Sequence, residues 1–246
     1  MFLKVVILLV GFLFLVKGAD WFVEGAASIA KKLGIPQLII GLTIVAMGTS
    51  MPEAAVSITA ALQKNAGITI GNIVGSNILN ILIILGLTAL IATLKVADST
   101  VRYEIPFMIL VTFVLLWLGY TGCQVTRLEG IILWVLFLLY LRYLYMMAKK
   151  GKEEETEAAQ LSTAKIIGLI LAGVVMIVAG SNFAVEGASN IAKALGISQR
   201  FIGLTIVALG TSLPELVTSV SAARKHNADI AIGNIVGSNI FNVLFI

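Results

Sequence analysis

GLTIVAMGTSMPE, residues 41–53, returns almost unchanged as GLTIVALGTSLPE at residues 203–215. Each copy places a proline and then a glutamate about halfway along a stretch otherwise apolar enough to cross a bilayer. Pro52 and Pro214 have no N–H for the carbonyls of Gly48 and Gly210, and the ring pushes that turn apart. Two broken helices are therefore expected, with freed carbonyls directed into the protein. Unpaired backbone oxygen at membrane depth is costly unless protein or an ion satisfies it. Glu53 and Glu215 lie beside the breaks, where a carboxylate costs at least roughly 2.5 to 3.5 kcal/mol and marks an ion or proton pathway.

The duplication extends well beyond these thirteen residues. A shift of 162 lays residues 34–84 on 196–246 with 33 of 51 positions identical, and Gly18, Val23, Glu24 and Gly25 fall on Gly180, Val185, Glu186 and Gly187. The first apolar span thus has a counterpart, which argues against a cleaved signal peptide. Five spans separate equivalent points, and an odd number turns the second copy upside down. Inverted repeats are a recurrent plan of secondary transporters, because exchanging the conformations of the halves exchanges the side that a central site faces.

The rest of the chain agrees with a membrane setting: of 246 residues 59% are hydrophobic and 12% charged, and mean hydropathy is +1.03. Helices of about 20 apolar residues cross a bilayer, and eight are expected, over 2–24, 36–62, 69–93, 104–121, 128–147, 164–186, 198–223 and 229–246. The fold class is an all-α, polytopic membrane protein of two inverted five-helix repeats. Residues 1–148 form repeat 1 and 164–246 repeat 2, joined by a cytoplasmic linker over 149–163 that holds Glu153, Glu154, Glu155 and Glu157. Eleven basic residues fall on one side (Lys31, Lys32, Lys95, Arg102, Arg142, Lys149, Lys150, Lys152, Lys165, Arg224, Lys225) and five on the other (Lys4, Lys64, Arg127, Lys193, Arg200). The richer side is expected to be cytoplasmic and the N-terminus outside, in a plasma-membrane protein. Basic residues confined to such loops indicate no nucleic-acid partner. The lone Cys123 has no partner for a disulfide or a metal site.

After each glutamate comes a polar stripe, GNIVGSNILN at 71–80 and GNIVGSNIFN at 233–242. Asn72, Ser76 and Asn80 share one helix face, as do Asn234, Ser238 and Asn242. Gly71 with Gly75, and Gly233 with Gly237, are small-xxx-small pairs that admit a close neighbour. Asn72, Asn77, Asn234 and Asn239 fit ligation or helix-to-helix bonding equally well. The candidate ligands are Glu53, Glu215, the hydroxyls of Thr49, Ser50, Thr211 and Ser212, amides and backbone carbonyls. All are oxygen, which suits calcium and sodium and not zinc or copper. An intramembrane hydrolase would call for an aspartyl pair or a Ser/His dyad, and no spanning segment holds a histidine; an enzyme is not expected. A non-transporting assembly subunit is the third reading.

GTS-x-PE followed by GN-x-x-GSN, present twice, resembles the alpha-repeat signature of the sodium/calcium exchanger family of the calcium/cation antiporter superfamily. The resemblance implies ten helices and four ion sites in a diamond between the second, third, seventh and eighth. It also implies that Glu53 and Glu215 bridge the sites and that Ser50, Ser212, Thr49 and Thr211 help ligate sodium. The carbonyls of Ala46 and Ala208, with Ser76 and Ser238 at outer sites and Asn80 and Asn242 at the remaining corners, complete the implied ligand set. Some relatives have aspartate where Asn242 stands, so two carboxylates remain, matching one divalent ion. The implied function is sodium-for-calcium antiport by alternating access, with the first and sixth helices sliding against the core. A proton/calcium antiporter is the alternative. The ions are cargo, with no cofactor and no obligate protein partner expected. By the shift of 162, repeat 2 is truncated in its third helix, giving eight helices of an expected ten, and the fragment is expected not to transport alone.

Overall fold

The computed structural model describes residues 2–63, 66–122, 125–150, 161–198, 206 and 208–246. Every regular element among them is helical. In chain order these are α1 (Phe2–Leu33), α2 (Gln37–Thr49), α3 (Met51–Leu62), α4 (Gly67–Ile91), α5 (Thr100–Tyr120), α6 (Arg127–Lys150), α7 (Thr163–Ala194), α8 (Ala208–Thr211), α9 (Leu213–Arg224) and α10 (Ala228–Leu244). α2 and α3 form one span bent by 51° at Ser50. Cys123, Lys64, Lys152, Arg200, most of the first half of the seventh span and the acidic run of the linker lie outside the described residues.

The long helices outrun their apolar cores. The first was expected to stop at residue 24, but α1 continues to Leu33 and α7 to Ala194. Backbone bonding does not require apolar side chains, so each helix continues beyond its apolar stretch into a polar end carrying Lys31 and Lys32, or Lys193. At 1.5 Å per residue, 32 residues give about 48 Å.

α1 and α7 pack antiparallel along a seam of glycines. Gly11, Gly18 and Gly25 recur every seven residues, and so do their equivalents Gly173, Gly180 and Gly187. A β-carbon on Gly18 would stand 2.9 Å from the Gly173 carbonyl oxygen, and one on Gly180 would stand 2.7 Å from the Leu15 nitrogen. The two backbones touch, and close approach of this kind brings dispersion contacts that longer side chains would forbid.

α10 is the axis of the molecule: every residue from Ile230 to Leu244 is buried. Gly233 and Gly237 allow it to lie directly on α2, where a β-carbon at Gly233 would come within 2.8 Å of the Leu38 carbonyl. Gly71 and Gly75 depart from expectation, meeting no described atom within 4 Å; the segment equivalent to the first half of α2 lies largely outside the described residues. Phe137 of α6 makes edge contacts with Phe241 of α10 and with Phe245, at 5.9 and 5.6 Å. The outer faces of α5 and α6 expose Phe113, Leu116, Trp117, Ile131 and Leu138, as a lipid-facing wall does.

α1 is also clasped to the end of α9. Ser221 Oγ donates to Asp20 Oδ1 at 2.7 Å, Lys225 Nζ donates to the Asp20 carbonyl at 2.7 Å, and the Lys225–Asp20 ion pair spans 3.6 Å. The equivalent residues of the other half are Asn182, Thr59 and Gln63. Among the described residues no hydrogen bond joins them.

Candidate functional site

Both halves break their helices at a serine. Ser50 (φ −82°, ψ 8°) and Ser212 (φ −92°, ψ 4°) occupy the bridge region between helical segments. Each proline then enters the first turn of the next helix, where a missing N–H costs no intrahelical bond. Glu53 and Glu215 fall in the first turns of α3 and α9, near the positive ends of those helix dipoles. The fate of the freed carbonyls differs between halves: Ser181 of α7 donates to the Gly210 carbonyl at 2.6 Å. Its equivalent in α1 is Ala19, which has no hydroxyl for Gly48.

The carboxylates are bonded crosswise. Ser50 Oγ donates to Glu215 Oε1 at 2.7 Å, and Ser212 Oγ donates to Glu53 Oε1 at 3.2 Å. The Thr211 hydroxyl lies close to Glu53, and those of Thr49 and Ser238 lie close to Glu215. Each glutamate is 1% exposed and keeps its Oε2 without a partner. Among the described residues the sole ion pair is Lys225–Asp20, so no basic side chain neutralises either carboxylate. Two buried carboxylates without cationic partners are strongly disfavoured in a low-dielectric interior unless a cation or a proton compensates them.

Amides frame the pair with the same pseudo-symmetry. Asn72 Nδ2 donates to the Glu53 carbonyl (3.2 Å) and to Ser57 Oγ (2.9 Å); Asn234 Nδ2 does the same for the Glu215 carbonyl (3.3 Å) and Ser219 Oγ (2.9 Å). These two asparagines hold the glutamate backbones. Asn77 and Asn239 donate to each other's carbonyls at 3.2 and 3.4 Å, and their side-chain oxygens accept from Asn242 (3.1 Å) and Asn80 (2.8 Å). With Nδ2 so engaged, Asn80 Oδ1 and Asn242 Oδ1 are left buried and unpartnered. Glu53 Oε2, Glu215 Oε2, Asn80 Oδ1 and Asn242 Oδ1 are thus four unpaired acceptors in two symmetric pairs.

Among the remaining candidates, the Ala46 carbonyl accepts from the Ser50 N–H (3.1 Å), Thr49 Oγ1 (3.3 Å) and Ser238 Oγ (3.4 Å). Ala208 opens α8, and Ser76 Oγ meets Ser212 Oγ at 3.4 Å. Thr49 Oγ1 also reaches Asn234 Oδ1 at 3.0 Å. No group of three or more His, Cys, Asp or Glu side chains poised for a metal occurs among the described residues, so any ion here would rely on hydroxyl, amide and backbone oxygen beside the two carboxylates. Two π-turns adjoin the constellation, Gly41–Val45 ahead of Ala46 and Asn80–Ile84 opening at Asn80; such turns recur at functional sites. Ser181 was missed by the sequence reading. Its signal was a departure from the repeat, serine against Ala19.

Comparison with known proteins points the same way. The family described as sodium/calcium exchanger protein matches residues 3–146 and 165–246. A putative antiporter, CaxA, of Alkalimonas amylolytica is 43% identical over 99% of the chain and 79% of its own length. The sodium/calcium exchanger MaX1 of Methanosarcina acetivorans is 37% identical over 98% of the chain and 80% of its own. A structure of the sodium-calcium exchanger NCX_Mj soaked with sodium and calcium superposes with a TM-score of 0.86 at 36% identity, over 98% of this chain and 79% of that one.

Proposed function

The chain belongs to the sodium/calcium exchanger family, and from that membership we propose that it exchanges sodium for calcium at Glu53 and Glu215. One observation carries the reading: two symmetry-related carboxylates, buried and without a basic partner among the described residues, each present an unpaired oxygen beside a helix break. Their combined charge balances one divalent cation or two monovalent ones, which is the arithmetic of competition between calcium and sodium. Ser50, Ser212, Thr49, Thr211, Ser76, Ser238, Asn80, Asn242 and the carbonyls of Ala46 and Ala208 complete the oxygen shell in this reading. Carbonyl ends of broken helices are suited to sodium.

Alternating access then follows from the glycine seam. α1 and α7 move as one body because their backbones are in contact, and they slide across the breaks, exposing the carboxylates to one side at a time. The Lys/Arg-rich side is cytoplasmic and the N-terminus outside.

Calcium-45 uptake into sodium-loaded proteoliposomes tests the proposal, with the chain extended to the length of its relatives and the substitutions made in that longer form. Uptake should require an outward sodium gradient and fall at least a hundredfold in Glu53→Gln or Glu215→Gln, since losing one charge of a buried ion site costs roughly 3 kcal/mol or more. Uptake indifferent to sodium and driven by a pH gradient would transfer the site to proton/calcium antiport. No uptake under either gradient, with normal calcium binding, would leave a binding protein and remove transport.

A further inference from the structure

A third carboxylate is buried outside the exchange constellation. Glu104 of α5 is 0% exposed, and its Oε1 accepts from the Tyr143 hydroxyl of α6. Its Oε2 has no partner, and neither does the hydroxyl of Thr100 (0% exposed) or that of Tyr140 (4% exposed). Thr100 and Glu104 begin and end one π-turn, Thr100–Glu104. Tyr140 stacks on Phe107 at 5.4 Å, one turn beyond Glu104, and at 6.5 Å on Tyr143, whose hydroxyl bonds the Glu104 carboxylate.

We propose that Glu104, Thr100 and Tyr140 form a second cation site, taking a single monovalent ion such as sodium. Three buried oxygens of different chemistry lack partners on two adjoining helices, two of them at the ends of one π-turn, whereas buried oxygens are ordinarily satisfied. The set is all oxygen, which selects a hard cation. It carries one negative charge, which a monovalent ion balances and a divalent ion would leave in excess. No lysine or arginine supplies that charge: Arg102 is exposed, and the sole ion pair among the described residues is elsewhere. Two π-turns adjoin the exchange constellation and another frames this cluster. The two places communicate. Met108, one turn after Glu104, accepts from Asn239 Nδ2 at 3.6 Å, and Asn239 Oδ1 accepts from Asn80 at 2.8 Å.

The test is independent of the exchange reading because it removes the exchange carboxylates. Equilibrium binding of sodium-22 is measured on the purified full chain in lipid nanodiscs, as Glu53→Ala/Glu215→Ala and as that variant with Glu104→Gln or Tyr140→Phe. The double variant should retain one saturable sodium site that equimolar calcium does not displace. Glu104→Gln should abolish it. Tyr140→Phe, which preserves the ring against Phe107, should weaken it about tenfold, the effect of losing one oxygen contact. Gel filtration checks that each variant is folded; should Glu104→Gln fail, Tyr140→Phe decides. Absence of sodium binding in the double variant, or binding unchanged by the substitutions, overturns the proposal and leaves Glu104 as a helix-to-helix hydrogen bond.

Discussion

Single side chains divide here into those that hold the backbone and those that keep an oxygen free. Asn234 spends its amide on the Glu215 carbonyl and Ser219, so Asn234→Ala should lower the unfolding free energy by about 1 to 3 kcal/mol, measured by thermal unfolding of the purified protein. Asn242 behaves differently, because its Nδ2 meets Asn77 Oδ1 at 3.1 Å while its Oδ1 is unpartnered. Asn242→Asp would set a carboxylate oxygen against an amide oxygen and add a third charge. That variant should be less stable than the parent without ions, and added sodium should raise its melting temperature more than the parent's. The glutamates, the threonine and serine hydroxyls and the asparagine stripe were legible in the sequence, since polar residues repeated at equal spacing within apolar spans have few structural excuses. Glu104 was not, because it stood at the edge of the expected fourth span, where a charge passes for an interfacial one. Ser181 was hidden for another reason: one hydroxyl in an apolar helix has no pattern, and its meaning lies in a carbonyl 29 residues away.

At the level of elements, existence and type were legible and lengths were not. Hydropathy marks where lipid ends, whereas helical bonding continues until a cap or a break, as α1 and α7 do. The glycine seam gives a sharp expectation. Gly18→Leu would drive a side chain into the Gly173 carbonyl and the Ile177 nitrogen, each 2.9 Å from its β-carbon. It should abolish sodium-dependent calcium uptake and lower the yield of folded protein. Gly168 lies on the same helix as Gly173 but would meet nothing within 4 Å. Gly168→Ala should therefore be neutral or stabilise by up to about 1 kcal/mol, the helical preference of alanine over glycine. The π-turns escaped the sequence reading, because a widened turn has the same residue types as an ordinary one.

Across the whole molecule the duplication is close but not perfect, and the clasp of α1 on α9 is its main departure. Asp20 and Lys225 are each more than a third exposed, so the pair contributes about 1 kcal/mol at most. Under the proposed alternating access, Asp20→Asn should then shift the balance toward the conformation open on the Lys/Arg-rich side by up to about fivefold. A cysteine at Val217, which lines a cavity with Val16 and Asp20 of α1, reports this once Cys123 is replaced: its reaction with an impermeant thiol reagent added from that side should speed up by the same factor. The crosswise bonding of the glutamates bears on how the protein is made. Glu53 leaves the ribosome without the serine that will hold it, and that serine, Ser212, lies 159 residues later in the chain. At about 5 to 20 residues per second, translation leaves this carboxylate unanswered for roughly 10 to 30 s. The first half must therefore wait in the bilayer, or at its surface, with an open acidic turn. A cell's insertion machinery has to shelter that turn until the second half arrives.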